Sequence, residues 1–233
     1  MTEGRWTRRR VLSGLGLLPL AAASPLALAS GEGRSVPRKF VMDQAMRWLR
    51  EGNRRFVKRT FTHPNATLQR QAELMTEGQH PFVTILSCSD SRVPVELIFD
   101  RGLGDLFVVR VAGAVADVDE IATCEYGLGH LETPLLVVLG HTQCGAVTAV
   151  VKGDKLGGNL PQLVDNIAPA VERAKARNLE GNDLILEAIK ENVRQSLQDV
   201  FKGSAEITHR VHQGQAAVVG AVYHLDSGEV EWL

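Results

Sequence analysis

Three short apolar runs, interleaved with segments of helical spacing, constrain the fold of this chain more than any other feature. The runs are PFVTILSCS (81–89), LFVVRVAG (106–113) and PLLVVLGH (134–141). The first run is rich in β-branched residues and apolar throughout, which is typical of a central parallel strand that is buried on both faces. The other two runs are predicted to be the second and third strands. Helical patterns occur at residues 121–131, 144–153, 160–177 and 183–201. This alternation predicts an α/β fold with a mostly parallel central β-sheet flanked by helices.

Further elements are predicted at both ends of this pattern. Residues 42–58 have apolar side chains at helical spacing, and residues 67–77 form a second predicted helix that stops at Gly78. Near the C terminus, AAVVGAVYHL and EVEWL flank Asp226-Ser227-Gly228, which is a hairpin turn signal. We therefore predict one domain over residues 41–233, which is long enough to bury a sizeable core.

The first 29 residues have the layout of an export signal. Arginines at positions 8–10 precede a modest apolar run, and residues 27–29 match an A-x-A cleavage site. The adjacent arginines resemble a twin-arginine signal. A permanent membrane anchor is the alternative, but the run contains prolines and is shorter than the about 20 apolar residues that a stable span needs. We expect cleavage after residue 29, a linker over residues 30–40 and a periplasmic or otherwise exported protein without a membrane span.

Charge and cysteine content narrow the possible functions. The formal net charge of −1 at pH 7 gives no reason to expect nucleic acid as a partner. The three cysteines are too few and too scattered for a disulfide framework. Cys124 lies on a predicted helix and is expected to be a packed thiol, whereas the other two cysteines follow predicted strands.

Polar side chains collect where two of the predicted strands end. SCSDSR (87–92) follows the first strand, and GHTQCG (140–145) follows the third. Ligands bind at the carboxyl ends of strands in open parallel sheets. Cys88, His141 and Cys144 together match the ligands that zinc prefers, and Asp90 could supply a fourth, oxygen ligand. Cys88 alone, or His141 with Cys144 alone, would be weak evidence, because buried free cysteine is common. Since both groups occur at strand ends of one sheet, together they predict a zinc site.

The two motifs resemble those of the β-class carbonic anhydrases. The resemblance rests on CSDSRVP (88–94) and GHTQCGAV (140–147). It is supported by GDLFVVRVAGAV (104–115), EYGLGHL (125–131) and the C-terminal GAVYHLDSGEVEWL (220–233). It runs from roughly residue 48 to the C terminus and does not include the export signal.

This resemblance implies a metal site and a reaction. One Zn²⁺ per chain is expected on Cys88, His141 and Cys144, and the reaction is the reversible hydration of carbon dioxide to bicarbonate and a proton by zinc-bound hydroxide. Asp90 and Arg92 are expected to form a dyad. Asp90 orients the hydroxide or, in a closed state, binds zinc, and Arg92 draws it off the metal. Alternation in an extended segment is expected to place positions 88, 90 and 92 on one side, and a surface ion pair is the alternative for the dyad.

The resemblance to the plant-like branch of the family also implies a substrate pocket. The positions that match it are Gln79, Phe107, Ala112, Tyr126 and Gly145. In the family a dimer interface completes the pocket wall, so a homodimer or higher homo-oligomer is expected. Plain core packing is the alternative for Phe107 and Ala112, and an ordinary surface amide is the alternative for Gln79.

This chain departs from other members of the family at two positions. A second branch of the family has a non-catalytic bicarbonate pocket with a tryptophan where this chain has Ile85, so that pocket is not expected here, although Arg110 matches one of its arginines. Ala114 stands where many relatives have asparagine.

Hydrolysis of carbonyl sulfide or carbon disulfide by the same site is one alternative function. The other is a zinc-stabilised module without activity, which needs four closed protein ligands and gives no reason for Arg92.

Overall fold

The computed structural model of the chain describes residues 38–233, so the predicted export signal and most of the predicted linker lie outside the described residues. The strands are β1 (Val83–Ser87), β2 (Leu106–Arg110), β3 (Leu135–His141), β4 (Ala217–Tyr223) and β5 (Val230–Trp232). The helices are α1 (Arg38–Lys58), α2 (Leu68–Glu77), α3 (Val95–Ile98), α4 (Val118–Glu125), α5 (Gly145–Lys152), α6 (Leu160–Asp165), α7 (Ala168–Lys175), α8 (Gly181–Gly203) and α9 (Ala205–His212). A 3-10 turn (Ala112–Ala114) follows β2, and a π-helical turn (Tyr126–His130) follows α4.

The five strands form one sheet in the order β2-β1-β3-β4-β5. The first four are parallel, and β5 pairs antiparallel with β4 at the edge. This confirms the predicted α/β fold with a mostly parallel sheet. The hairpin predicted at residues 226–228 joins β4 to β5, and Gly228, with φ of 79°, donates its N–H to the carbonyl of His224 at 2.8 Å.

Both faces of the sheet are covered, which explains why the central strands are apolar throughout. All residues of β1 and β3 are buried. Alternate residues of β3 enter two different hydrophobic clusters. Leu136 and Val138 pack with residues of α7 and α8 on one face, whereas Leu135, Val137 and Leu139 pack with residues of α1 and α3 on the other. Burial on both faces is the arrangement that parallel strands require.

Several predicted boundaries were wrong, and local chemistry explains them. The strand expected over residues 106–113 ends at Arg110, because Gly113 has a φ of 76° that a strand does not allow. The helix expected over residues 160–177 is two helices, and Pro169 in the first turn of α7 suits a helix start because it has no N–H to donate.

Other differences lie at helix starts. The helix expected over residues 121–131 begins at Val118, after Asp117, which forms a capping box with Glu120, and changes to the π-helical turn at Tyr126. Helix α1 starts at Arg38, inside the segment expected to be linker. The short helix α3 and helix α9 were not predicted. Within residues 38–233, no helix is both long enough and apolar enough to cross a bilayer.

Candidate active site and metal centre

Three potential metal ligands meet at the carboxyl edge of the sheet. Cys88 follows β1 directly, and His141 is the last residue of the neighbouring strand β3. Cys144 is the N-cap residue of α5. All three side chains are buried, and their potential ligand atoms lie within 4.8 Å of one another. The pairing of β1 with β3 therefore brings together residues that are more than fifty positions apart in the sequence.

The hydrogen bonds of His141 leave one ring nitrogen available as a ligand. Nδ1 lies 2.9 Å from the carbonyl oxygen of Thr142, so this nitrogen carries the proton and donates it. Nε2 is buried and has no hydrogen-bond partner among residues 38–233. A buried ring nitrogen with a free lone pair is unusual, and a bound cation accounts for it. Histidines that bind zinc usually donate the N–H of the other ring nitrogen to an acceptor, which fixes the orientation of the ring. The hydrogen bond from His141 to the carbonyl of Thr142 has this role here.

A hydrogen bond joins the thiol groups of Cys88 and Cys144 and shifts their pKa values in opposite directions. The hydrogen bond from Cys144 lowers the pKa of the Cys88 thiol, with further help from His141 and backbone N–H groups, although burial acts to raise it. The same contact, together with burial, raises the pKa of the Cys144 thiol. Ionisation of Cys88 is therefore favoured over that of Cys144, and binding of a divalent cation favours release of protons from both thiols. The donor set and its electrostatics fit Zn²⁺.

Backbone contacts hold Cys88 and Asp90 in place. The N–H of Gly113 donates to Sγ of Cys88 at 3.3 Å. Arg110 donates from Nε to the carbonyl of Cys88 at 3.0 Å and from Nη2 to the carbonyl of Asp90 at 2.7 Å. Sequence reasoning connected Arg110 with a bicarbonate pocket, but in the structure its guanidinium fixes the backbone that carries the first ligand. Ile85, the position of the missing tryptophan, is fully buried in the core.

Asp90 and Arg92 form a two-pronged ion pair. Arg92 donates from Nε to Oδ1 at 3.0 Å and from Nη2 to Oδ2 at 2.7 Å. The same Nη2 donates to the carbonyl of Gln143 at 3.2 Å, so the guanidinium also touches the loop that carries Cys144. The hydrogen bond from Arg92 holds the pKa of Asp90 well below its usual range, against burial, which acts to raise it. Asp90 is therefore ionised at all physiological pH values.

The dyad arises from a turn and not from strand alternation, which corrects the expectation for positions 88, 90 and 92. The N–H of Val93 donates to the carbonyl of Asp90 at 3.0 Å, and the N–H of Arg92 donates to Oδ1 of Asp90 at 2.9 Å. These bonds curl the chain so that both side chains meet. Oδ2 of Asp90 lies 3.8 Å from Nε2 of His141, beside the Cys–His–Cys cluster but outside the group of mutually close ligand atoms.

The predicted substrate-binding residues separate into two groups. Ala112 precedes Gly113, and Gly145 follows Cys144, so both lie beside the metal ligands. Phe107 pairs in register with Thr84, which lies four residues before Cys88, a distance of ~13 Å along a strand. Tyr126 packs against Phe107, with ring centroids 5.8 Å apart.

Gln79 is exposed and lies in the segment before β1, whereas Cys88 follows the other end of that strand. The chain therefore does not bring Gln79, Phe107 and Tyr126 to its own metal cluster.

Sequence reasoning missed two residues of α8 that support the site. Asn192 and Ser196 are buried and donate hydrogen bonds to the carbonyl oxygens of Gly113 and Ala114, at 2.7 Å and 2.9 Å. Their spacing of four residues places them on one face of the helix. Polar residues on an otherwise apolar helix face were the only sequence signal available.

The family model and the similar proteins that match this chain all belong to one family. The sequence model of the family described as Carbonic anhydrase matches residues 83–230. Carbonic anhydrase 2 of Mycobacterium tuberculosis is 39% identical over 188 residues, which cover 79% of this chain and 89% of that protein. A carbonic anhydrase of Mycolicibacterium smegmatis is 37% identical over 191 residues, which cover 80% of this chain and 91% of that protein.

Solved structures agree with these sequence matches. The β-carbonic anhydrase CcaA is 33% identical with a TM-score of 0.63, and the match covers 80% of this chain and 86% of that one. The β-carbonic anhydrase CafA of Aspergillus fumigatus is 28% identical with a TM-score of 0.64, covering 71% and 82%. The chain belongs to the carbonic anhydrase family, in its β class. It is an enzyme with the activity of that class, the hydration of carbon dioxide.

Proposed function

We propose that the carbon dioxide hydration carried out by this chain depends on one Zn²⁺ per chain, held by Cys88, His141 and Cys144. The observation that carries this proposal is the buried Nε2 of His141, which faces two buried sulfur atoms and has no partner among the described residues. When bound, zinc supplies Lewis-acid chemistry and lowers the pKa of a coordinated water from about 15.7 to about 7, for which carbonic anhydrase is the standard example.

The chain's own residues orient the attacking oxygen. Asp90 is ionised and can accept a hydrogen bond, so it directs a lone pair of that oxygen towards the carbon of carbon dioxide. Arg92 holds both carboxylate oxygens of Asp90 and keeps the group from turning towards the metal ligands. Arg110 fixes the backbone between Cys88 and Asp90. Proper orientation of reacting groups is a large contribution to enzymatic rates.

Substitution of Cys88 by serine tests the metal site. Cys88→Ser is expected to reduce zinc content well below one ion per chain and to abolish most of the activity, because a serine hydroxyl is a poor zinc ligand at neutral pH. Metal analysis and stopped-flow hydration of carbon dioxide are measured on the same sample. Cys124→Ser is the control, since Cys124 is buried away from the cluster and its raised pKa of about 12 keeps it a thiol. A Cys88→Ser protein with stoichiometric zinc would show that Cys88 is not a ligand.

We also propose that the active unit is at least a homodimer with a substrate pocket of the plant-like type. Phe107 lies about 13 Å along the sheet from the cluster of its own chain. Tyr126 packs against Phe107, which supports a role for both in the site of a neighbouring copy. In a two-fold dimer each site would combine the metal ligands of one chain with Gln79, Phe107 and Tyr126 of the other.

Mixing two damaged variants tests this arrangement. Asp90→Asn damages the metal half and Gln79→Ala damages the pocket half. A mixed dimer has one doubly damaged site and one intact site. Random mixing by co-refolding is therefore expected to restore about a quarter of the wild-type activity, because half of the dimers are mixed. Activity no greater than the mean of the two separate variants would contradict a shared pocket.

We propose that residues 1–29 direct export of the folded, metal-loaded protein by a twin-arginine route. Free thiols that enter an oxidising compartment unfolded can pair as disulfides, whereas folded protein has both site sulfurs occupied by metal. Replacing the arginines at positions 8–10 with lysine is expected to leave active precursor in the cytoplasm. Replacing the signal with one that exports unfolded chains is expected to yield metal-poor protein with a Cys88–Cys144 disulfide. Fully active, zinc-replete exported enzyme from that second variant would overturn the protective role.

A further inference from the structure

The 3-10 turn beside the metal cluster has an unfavourable backbone conformation. Gly113 has a φ of 76° and Ala114 a φ of 52°. Glycine adopts positive φ readily, but alanine does so only at a conformational cost, because its Cβ approaches the following carbonyl oxygen. Such a conformation persists only when surrounding contacts enforce it. Local sequence therefore does not explain the shape of this turn.

The turn has a direct contact with the metal site. The N–H of Gly113 points at Sγ of Cys88, 3.3 Å away. A hydrogen bond to a thiolate stabilises its negative charge and fixes the direction from which the sulfur offers its remaining lone pairs. The same turn carries Ala112, one of the two predicted pocket residues that lie beside the cluster. A small rotation of the turn would therefore affect both the ligand and the pocket wall.

Two side chains of α8 hold this turn from behind. Nδ2 of Asn192 donates to the carbonyl of Gly113 at 2.7 Å, and Oγ of Ser196 donates to the carbonyl of Ala114 at 2.9 Å. Both residues are only 2% exposed. They are 79 and 82 positions away from their partners in the sequence. The bonds therefore depend on how α8 packs against the sheet.

Asn192 is poorly suited to a purely structural role. Its Oδ1 is buried and has no hydrogen-bond partner within residues 38–233. Burial of an unpaired amide oxygen is unfavourable for stability. An apolar side chain would avoid that cost but could not donate to the carbonyl of Gly113. The benefit of an amide at this position is therefore the bond that Nδ2 makes with the turn.

We propose that Asn192 and Ser196 are positioning residues of the metal centre, which clamp the Ala112–Ala114 turn in its left-handed conformation so that the N–H of Gly113 stays on the sulfur of Cys88. The clamp presets Cys88 for metal binding. Loss of either bond lets the turn relax and lowers the affinity for zinc. This inference rests on the proposed zinc site. A wild-type protein that binds no zinc would refute the proposed function itself, whereas the variants below refute only the clamp.

The test measures zinc affinity by competition with a chromophoric chelator on the full domain. Asn192→Ala and Ser196→Ala are each expected to weaken zinc binding about tenfold, the lower end of the range for residues that orient metal ligands. Gln195→Ala is the matched control, because Gln195 is a buried amide on the same helix that donates to Asp199 and does not touch the turn. We expect the control to stay within about twofold of wild type, because the Gln195 side chain bonds to Asp199 and not to the turn or to a candidate metal ligand.

A second readout separates positioning from general stability. In the cobalt-substituted protein, the thiolate-to-metal charge-transfer band should shift in Asn192→Ala and Ser196→Ala but not in Gln195→Ala. A lowered melting temperature with unchanged zinc affinity and an unchanged band would overturn the proposal and leave a purely structural role. Ser196→Ala removes only a hydroxyl and introduces a strong helix former, so it keeps the test available if Asn192→Ala does not fold.

The conformational part of the proposal has its own test. Ala114→Gly should make the left-handed turn easier to adopt, so the turn should depend less on the clamp. Ser196→Ala is therefore expected to weaken zinc binding less in the Ala114→Gly background than in wild type, which a double-mutant cycle measures. Equal losses in both backgrounds would contradict a clamp that acts by holding an unfavourable turn.

Discussion

Two aspartate–arginine pairs of this protein have the same chemistry and different surroundings. Asp90 pairs with Arg92, two positions away, at the carboxyl edge of the sheet, where the aspartate side chain is 17% and the arginine 49% exposed. Asp100 pairs with Arg55, 45 positions away, and its side chain has no exposure. In both pairs the arginine donates to a carboxylate oxygen at hydrogen-bond distance.

The difference lies in what else each carboxylate binds. Asp100 also accepts the N–H and hydroxyl of Thr62 and the N–H of His63, at 2.9–3.0 Å. It therefore joins α1, the following loop and the end of α3 in one fixed arrangement. Within the part of the chain that the structure describes, the carboxylate of Asp90 is bound only inside its own turn, by the backbone and side chain of Arg92. The Asp100–Arg55 pair stabilises the fold, and the Asp90–Arg92 pair leaves a charged group beside the candidate metal ligands.

The same substitution at both aspartates is the sharpest way to test this contrast. Asp90→Asn is expected to reduce the rate of carbon dioxide hydration by about 10²–10³-fold, the range found when one orienting or charge-stabilising group is removed from an active site. Zinc content and fold should stay as in wild type, because the substituted side chain is not one of the three clustered ligands. Stopped-flow kinetics and metal analysis measure both. A wild-type rate would remove the dyad from the mechanism.

Asp100→Asn is expected to act on stability instead. We expect a loss of about 3 kcal/mol in the free energy of unfolding, because Arg55 then lacks its charged partner in a largely buried site. Asparagine tolerates the φ of 44° found at this position, so the loss reports the charge and not backbone strain. Urea unfolding measures the stability, and kcat per folded molecule should be unchanged. A large loss of kcat at full folding would mean that the two pairs are not functionally distinct.

Lysine in place of each arginine gives a smaller effect. Arg92→Lys is expected to lower the hydration rate about tenfold, because an ammonium group cannot make two parallel hydrogen bonds to the carboxylate. Arg55→Lys is the matched control and should lower the melting temperature with little effect on the rate. If the two variants had equal rates, the two-pronged geometry at Asp90 would have no catalytic importance.

The smallest effect concerns acid stability. Burial acts to raise the pKa of Asp100, but hydrogen bonds from Arg55 and two backbone N–H groups outweigh it and hold the pKa well below its usual range. A carboxyl with a lowered folded-state pKa stabilises the fold above its unfolded pKa of about 3.9 and loses that contribution as the pH falls towards the folded value. Wild type should therefore lose about 1 kcal/mol more than Asp100→Asn between pH 5 and pH 3. Parallel stability profiles would contradict this assignment.

The sequence predicted the fold class and the cluster of Cys88, His141 and Cys144 because both depend on local patterns. Short apolar runs indicate strands, and β1, β2 and β3 lie where the three runs are. Of these, β1 and β3 are buried on both faces. Cys88 and His141 stand at the ends of two such runs. Since parallel strands share one carboxyl edge, adjacency of the two residues follows once their strands are neighbours. Cys144 is only three residues from His141 and comes with it.

The contacts that support the site depend on tertiary packing. No local pattern connects Asn192 to Gly113, or Arg55 to Asp100, because each bond joins elements that meet only after the helices pack on the sheet. Sequence alternation also predicted the wrong reason for the closeness of Asp90 and Arg92, which a backbone turn produces.

The position of Phe107 was likewise decided by strand register, which places it away from the cluster of its own chain, and Tyr126 packs against it. By itself, the sequence determined which residues have side chains suited to metal binding and catalysis. It also determined on which edge of the sheet they lie, because strand and helix periodicity are short-range properties. The tertiary structure alone decided which backbone groups and side chains hold those residues in position, because such contacts join segments that only the packed fold brings together.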